Sequence, residues 1–187
     1  GGGDDDESAV LTAEVLYALG ALHIVQAGGD LRKLEAAEAL IERCMTIREA
    51  TLGMRHPEYA TAANRLGSLY VELDRFADAE ECFGWALKVR EERLGATHSR
   101  TLQTVKHMLH AAELQEKWGE ALAMCTRGLE ILRGHPPPAA ASARTRAAHA
   151  AAIAAMLLRT ASVQRQAGEG ATAAASLREA LGLLPAG

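Results

Sequence analysis

A repeat of 42 residues is the feature that most constrains how this chain folds. Residues 47–57 match residues 89–99 almost position by position, and each copy contains the pattern Leu-Gly-x-x-His. The same interval recurs in two sets of three residues, one of them Leu34, Phe76 and Trp118 and the other Ala37, Ala79 and Ala121. An interval of this length, kept over three copies, is typical of an array in which each unit packs on its neighbours.

Each copy is predicted to form two helices joined by a short turn. In the middle copy, apolar residues recur at helical spacing over residues 58–73 and again over residues 76–94, with a two-residue turn between them. Gly95 follows the second helix at the position where a left-handed cap residue is common. Pro57 suits the first turn of a helix, and Ser99, which replaces it in the next copy, is expected to cap that helix.

The repeat divides the chain into four segments. The acidic residues 1–7 are expected to be disordered, and residues 8–133 are expected to form three helix pairs. Residues 134–142 contain three consecutive prolines and predict a linker that is stiff at the prolines. Residues 143–187 are expected to form a fourth, degenerate pair, as is common for the unit that caps an array. This pair aligns with the third at an interval of 52 residues, so the linker contains ten extra residues.

The composition fits an all-helical core built mainly from Leu and Ala. Hydrophobic residues make up 49% of the chain but aromatic residues only 4%, and no stretch alternates β-branched and polar residues as a strand does. Gly67 and Ala79 lie on the two helices of the middle copy, where larger side chains would push the helices apart.

The charge argues against a nucleic-acid partner. The net charge is −4, whereas a protein that binds the phosphate backbone is usually basic. The charge is also uneven, because residues 140–187 contain five arginines and two glutamates, a net of +3, which leaves −7 for the remainder.

The cysteines and the hydropathy pattern indicate a cytoplasmic protein. Cys44, Cys82 and Cys125 lie far apart among apolar helical neighbours, so they are predicted to be reduced and buried. No unbroken run of about 18 apolar residues occurs, so neither a membrane span nor a membrane partner is expected. Association with the cytoskeleton or a cilium is the more specific location that we consider.

No set of residues predicts a catalytic, cofactor or metal site. The chain has no phosphate-binding glycine loop, nucleophile elbow or zinc motif. His107 and His110 lie on one predicted helix, but Cys125 is expected to be buried on the next, which favours packing over metal ligation. His56 and His98 occupy the turn between helix pairs and are expected to bond a backbone carbonyl. The chain is therefore predicted not to be an enzyme, with no cofactor and no metal.

The repeated segments resemble those of a known family. The pattern Leu-Gly-x-x-His-Pro at residues 52–57, which follows Ile-Arg-Glu, is similar to the 42-residue tetratricopeptide repeat of kinesin light chains. Leu66, Gly67 and Tyr70 match the general tetratricopeptide spacing in the first helix of a pair. The resemblance implies an all-α, right-handed α-solenoid of about four helix-turn-helix repeats. It also implies a concave groove lined by the first helix of each pair.

Repeat geometry assigns ten polar or aromatic residues to this groove. They are Tyr17, Thr61, Asn64, Ser68, Glu72, Gln103, Lys106, His110, Glu113 and Arg165. Such side chains can bond the backbone of a peptide, so the sequence predicts a non-catalytic scaffold or adaptor that binds a segment of a protein or peptide partner. Two alternatives remain open: a structural subunit of a large cytoskeletal or ciliary assembly, and a regulatory sensor array cut from a larger signalling protein.

Overall fold

The computed structural model describes the backbone of residues 2–183 and the side chains of residues 7–183. Within this part of the chain there are eight α-helices and no strand. Two compact units, Gly1–Gly95 and Ala96–Gly187, divide the chain. The helices of the first unit are α1 (Gly2–Ala27), α2 (Leu31–Leu52), α3 (Pro57–Glu72) and α4 (Phe76–Leu94). Those of the second unit are α5 (Ser99–Leu114), α6 (Trp118–Gly134), α7 (Ala143–Gln166) and α8 (Gly170–Leu183).

In the first unit, glycines let the two helices of each pair pack closely. α1 packs on α2, and α3 packs on α4. A Cβ atom added at Gly20 would lie 2.7 Å from Cγ1 of Ile41, and one added at Gly67 would lie 2.7 Å from Cε1 of Phe83. Carbon atoms do not normally approach so closely. Because Ile41 and Phe83 are 42 residues apart, the two glycines occupy equivalent positions in two copies of the repeat.

An apolar cluster joins the two helix pairs of the first unit. Ala60 and Ala63 of α3 pack with Ala86 and Val89 of α4, and the partly buried Met45 of α2 packs against the same residues. Alanines at these positions bring the three helices close enough to exclude water, and burial of apolar surface stabilises by roughly 25 cal/mol per Å².

In the second unit, one core extends over all four helices. Residues of α5, α6, α7 and α8 contribute to it, among them Leu109, Leu129, Met156 and Ala180. α6 packs on α5 and on α7, and α7 packs on α8. This order confirms that residues 143–183 form a further helix pair that packs on the preceding one.

The turn inside a helix pair has the same geometry in three copies. The residue after the end of the first helix has a positive φ, with 55° at Asp74, 55° at Glu116 and 83° at Gly168. Beside each, an amide reaches back over a full turn, as in the 2.8 Å bond that the Arg75 amide donates to the carbonyl of Tyr70. This bonding pattern satisfies carbonyls that the end of a helix would otherwise leave unpaired.

The turn that follows the second helix of a pair relies on a glycine and a histidine. Gly53 and Gly95 have φ values of 82° and 92°, which glycine adopts more easily than other residues. The Nδ1 atoms of His56 and His98 accept bonds from backbone amides two residues later, at 3.2 Å in each case. The predicted role of these histidines is therefore structural, but they accept from amides at the start of a helix instead of bonding a carbonyl.

Two other details of these turns differ from the predictions. Ser99 is the first residue of α5 and does not cap it, since His98 occupies the cap position. α1 begins at Gly2, so residues 2–7 are helical and not disordered. Acidic residues are favourable near the start of a helix, where the helix dipole is positive, which accounts for this extension. The predicted inward residue Leu184 lies outside the described residues.

One helix is long and apolar enough, by length and composition alone, to cross a membrane. It is the segment Glu7–Ala27 of α1, in which Glu14 and His23 interrupt the apolar residues. The prediction that no such segment exists is wrong, because it considered only unbroken apolar runs. Core helices of soluble proteins and signal sequences meet the same criterion. In this structure Ala13 and Leu16 of α1 are buried.

Candidate protein-binding surface

In the first unit, the predicted groove residues of α3 lie along one side of that helix. Their spacing of three or four residues places Thr61, Asn64, Ser68 and Glu72 on a common face. The Thr61 hydroxyl donates to the carbonyl of Pro57 at 2.9 Å, and the Ser68 hydroxyl donates to the carbonyl of Asn64 at 3.1 Å. Both hydroxyls retain lone pairs that can accept a bond from a partner.

Asn64 is placed differently from the prediction. Its side chain was expected to bond a partner in the groove, but only 5% of the residue is exposed. Thr61 and Ser68 are partly exposed and Glu72 is exposed, so these three present more surface than Asn64 does. A partner would have to displace neighbouring groups before it could reach the amide.

Tyr17 lies beside two arginines that the prediction did not include. The Cζ atoms of Arg48 and Arg65 are 5.1 and 5.8 Å from the centroid of its ring, within the range of a cation–π interaction. Arg48 is buried, and its Nη1 donates to the carbonyl of Glu58 at 2.6 Å. Its place in the repeated Ile-Arg-Glu segment was the sequence signal for a structural role.

In the second unit, α5 presents an exposed polar face. Gln103, Lys106 and His110 are exposed at intervals of three and four residues, as predicted for one side of a helix. Glu113 continues this face but is partly buried. His110 Nδ1 lies 4.0 Å from a carboxylate oxygen of Glu113.

Glu113 forms an ion pair with Arg159 of α7 and lines a small pocket. The Arg159 Nε donates to Oε1 of Glu113 at 3.0 Å, and Nη2 donates to Oε2. The pocket has a volume of about 260 Å³, and Trp118, Ser162 and Gln166 are among its lining residues. Arg165, the predicted groove residue of the fourth pair, is exposed but does not line this pocket. Arg159 was not predicted because the ten extra residues of the linker obscure the alignment of α7.

The described residues present no obvious reactive group. No set of three or more His, Cys, Asp or Glu side chains converges within this part of the chain as a metal site requires. The cysteines are free thiols, and Cys44 and Cys125 are buried while Cys82 is half-buried. Burial raises the pKa of the Cys82 thiol to about 11, with further contributions from Asp78 and Glu81. A thiol with a raised pKa is a poor nucleophile.

Comparison with known families identifies the repeat in the first unit. Residues 12–92 match the family model of the tetratricopeptide repeat. This stretch runs from α1 into the last turn of α4. The predicted repeat type is thereby confirmed for the two helix pairs of the first unit.

Two curated relatives support the same assignment. A TPR repeat-containing protein of Dictyostelium discoideum is 40% identical over 74 residues, which are 40% of this chain and 4% of the relative. Protein KINESIN LIGHT CHAIN-RELATED 1 of Arabidopsis thaliana is 26% identical over 139 residues, which are 74% of this chain and 22% of the relative. The chain therefore spans less than a quarter of the length of either protein.

Solved structures extend the likeness of fold to most of the chain. BtubC (BKLC) from P. vanneervenii matches 91% of this chain and 62% of its own length with a TM-score of 0.76 and 17% identity. A structure of nearly identical TPR-like repeats of the kinesin light chain type from Podosopora anserina matches 91% of this chain and 95% of its own, with a TM-score of 0.58 and 14% identity. The predicted all-α helical repeat array is thus confirmed as the fold.

Proposed function

We propose that this chain, a tetratricopeptide repeat protein of the kinesin light chain-like type, is a scaffold or adaptor that binds a segment of a protein partner on the polar faces of its first helices. Tetratricopeptide repeats are generally protein–protein interaction modules, and this family is typically non-catalytic. The proposal names the surface, since the partner of each relative belongs to that relative alone.

The observation that most supports the proposal is the polarity of α5. Gln103, Lys106 and His110 are exposed along one side of this helix, while Val105 and Leu109 on the other side are buried. The exposed side continues towards the pocket beside Glu113, which is large enough for a side chain of a partner. A helix with one polar, unburied face next to a pocket can bond an extended segment without unfolding any of its own structure.

The charges on this surface favour a partner segment that contains carboxylates. Lys106 is an exposed cation, and Arg159 already neutralises Glu113 through two hydrogen bonds. In the first unit, Arg48 and Arg65 flank the ring of Tyr17. Lysine and arginine donate charge-assisted bonds to carboxylates, which are stronger than bonds between neutral groups.

A binding measurement with a matched control tests the proposed surface. Peptides selected from a random library on the wild-type chain are titrated by fluorescence polarisation against wild type, Lys106→Glu and Lys88→Glu. Lys106 and Lys88 are both exposed, but Lys88 lies on α4, a second helix of a pair. Reversal of a charge that meets a carboxylate is expected to weaken binding about tenfold or more, whereas Lys88→Glu leaves the affinity unchanged.

Equal affinities of the two variants for every selected peptide would contradict the assignment to α5. Ser162→Trp, which fills the pocket beside Glu113, provides a second arm with no change of charge. We expect it to reduce binding as well, since the pocket can then no longer accept a side chain.

A role as a subunit of a larger assembly is a second candidate, because both end helices expose apolar residues such as Val15 and Leu181. Sedimentation of the native protein from its own cells would separate the two candidates by particle size. A sensor array within a longer signalling protein, and a cytoplasmic or cytoskeletal location, stay predictions.

A further inference from the structure

The outer face of α1 exposes apolar residues at positions that are buried in the next copy of the repeat. Val15 and Leu22 are 59% and 48% exposed. The equivalence of Gly20 and Gly67 aligns them with Ala62 and Leu69 of α3, both of which are 0% exposed. The difference arises because α3 packs on α2 and on α4, whereas no described helix precedes α1.

α8 exposes apolar residues in the corresponding way at the other end of the described chain. Leu181 is 68% exposed, and Leu177, one turn earlier, is 43% exposed. At the interval of 52 residues Leu181 aligns with Leu129 of α6, which is 7% exposed and packs in one cluster with residues of α7, among them Met156. The register is supported by Ala180, which is buried as its counterpart on α6 is.

These two faces are complementary in type. α1 is the first helix of a pair, and its open face is the kind that a preceding second helix covers, as α2 packs on α3. α8 is the second helix of a pair, and its open face is the kind that a following first helix covers, as α7 packs on α6. A contact between α8 and α1 would therefore repeat a packing that each unit already contains.

The charges are complementary as well. α1 contains four acidic residues at positions 4–7 and a fifth at Glu14, and it has no lysine or arginine. On α8, Glu179 is paired with Arg133, while Arg178 is exposed beside Leu177 and Leu181. Consecutive helices joined by short turns run antiparallel. The same arrangement would bring the second half of α8, with Arg178, next to the acidic first half of α1.

We propose that a second copy of this chain docks head to tail, with the Leu177–Leu181 face of α8 in one copy covering the Val15–Leu22 face of α1 in the next. Such a contact joins two different surfaces, so each added copy leaves one open face at either end and the assembly can grow. It goes beyond the proposed function, because the polar face of α5 takes no part in it.

Sedimentation velocity of the full chain, with one variant for each face, tests this proposal. Wild type is expected to form dimers and then longer species as its concentration rises. Leu22→Glu closes the α1 face and Leu181→Glu closes the α8 face, and each variant alone is expected to associate at least tenfold more weakly, since burial of an unpaired carboxylate is unfavourable. An equimolar mixture of the two variants retains one good face of each kind and should stop at a 1:1 dimer.

The mixture also reports on folding, because only folded variants can form that dimer. Leu158→Glu is the control: Leu158 is 51% exposed on α7, outside both faces, and its replacement should leave association unchanged. Two results would overturn the proposal, namely wild type that stays monomeric at every concentration, and a Leu181→Glu variant that still forms dimers as wild type does. The second result would indicate symmetric pairing of two α1 helices.

A vesicle arm addresses the apolar character of α1. Binding of wild type to neutral phospholipid vesicles through Leu22, without association in solution, would also overturn the proposal in favour of a lipid surface. The proposed function is tested separately, because Lys106→Glu is expected to lose peptide binding and keep head-to-tail association. Loss of one property without the other therefore identifies which proposal has failed.

Discussion

Single residues determine how closely the helices of this protein approach one another. Gly67 faces the aromatic ring of Phe83, whereas Gly128 of α6 faces the terminal methyl group of Met156. An added Cβ would be too close in both cases, at 2.7 Å from Phe83 Cε1 and 2.6 Å from Met156 Cε. The two neighbours differ in how easily they can move, since methionine has three rotatable bonds and a packed ring has few alternatives.

The substitutions Gly67→Ala and Gly128→Ala are therefore expected to differ. Both gain roughly 1 kcal/mol of helix propensity, so the difference between them isolates the packing cost. We expect Gly67→Ala to be less stable than Gly128→Ala by about 1–3 kcal/mol, the usual cost of overpacking. Urea unfolding followed by circular dichroism measures both values. Equal free energies of unfolding would mean that the Phe83 ring moves as freely as Met156.

Cys82 gives a prediction that depends on pH. Burial raises the pKa of this thiol from 9.0 to about 11, so the folded state favours the neutral form. Its contribution to stability is therefore complete below the unfolded pKa and is lost as the pH rises from about 9 to 11. In a Cys44→Ala, Cys125→Ala background, alkylation at pH 8 should be about a hundredfold slower than for a free thiol.

The rate of that alkylation should then increase with pH up to about 11. The same protein in urea is the control, since the unfolded thiol should react at the rate of a model peptide. An alkylation rate at pH 8 equal to that of the unfolded chain would contradict the raised pKa.

At the scale of helices and turns, the turn inside each pair requires a residue with positive φ. Glu116 meets this requirement at 55°, although a residue with a Cβ atom is strained there by roughly 1–2 kcal/mol. The equivalent position in the fourth pair is Gly168. The geometry of the turn is thus constant while the residue that adopts it varies.

Glu116→Gly is accordingly expected to raise the free energy of unfolding by about 1 kcal/mol, because glycine adopts this conformation without strain. Glu130→Gly is the matched control, since Glu130 is exposed inside α6 and should lose about 1 kcal/mol of helix propensity. Thermal unfolding of both variants tests the pair of opposite signs. A loss of stability in Glu116→Gly would mean that flexibility of the unfolded chain outweighs the relief of strain.

The sequence predicts these elements well wherever the repeat is regular. α4 was expected over residues 76–94, and the structure has Phe76–Leu94, because Gly95 and the repeated turn fix both ends. The start of α1 was missed because the acidic segment has no apolar residues for the packing pattern to detect. Helix stability there comes from charge near the helix start, which periodicity does not report.

At the scale of the whole chain, the groove residues were predictable only within one copy. Gln103, Lys106 and His110 follow from the position of α5 in its own repeat, and all three are exposed. The bond between Arg159 and Glu113 joins residues 46 positions apart, an interval that is not that of the repeat. Such a pair depends on how α7 packs in the second unit, which the irregular linker conceals from the sequence.

The recurrence of Leu-Gly-x-x-His after both α2 and α4 has a consequence for the gene. A crossover between the two copies of this segment inserts or removes 42 residues and regenerates an intact turn at the junction, with Gly53 or Gly95 at positive φ. The number of helix pairs can therefore change in a single genetic event without any new boundary between helices, so chains of different length can descend from one another by duplication and excision.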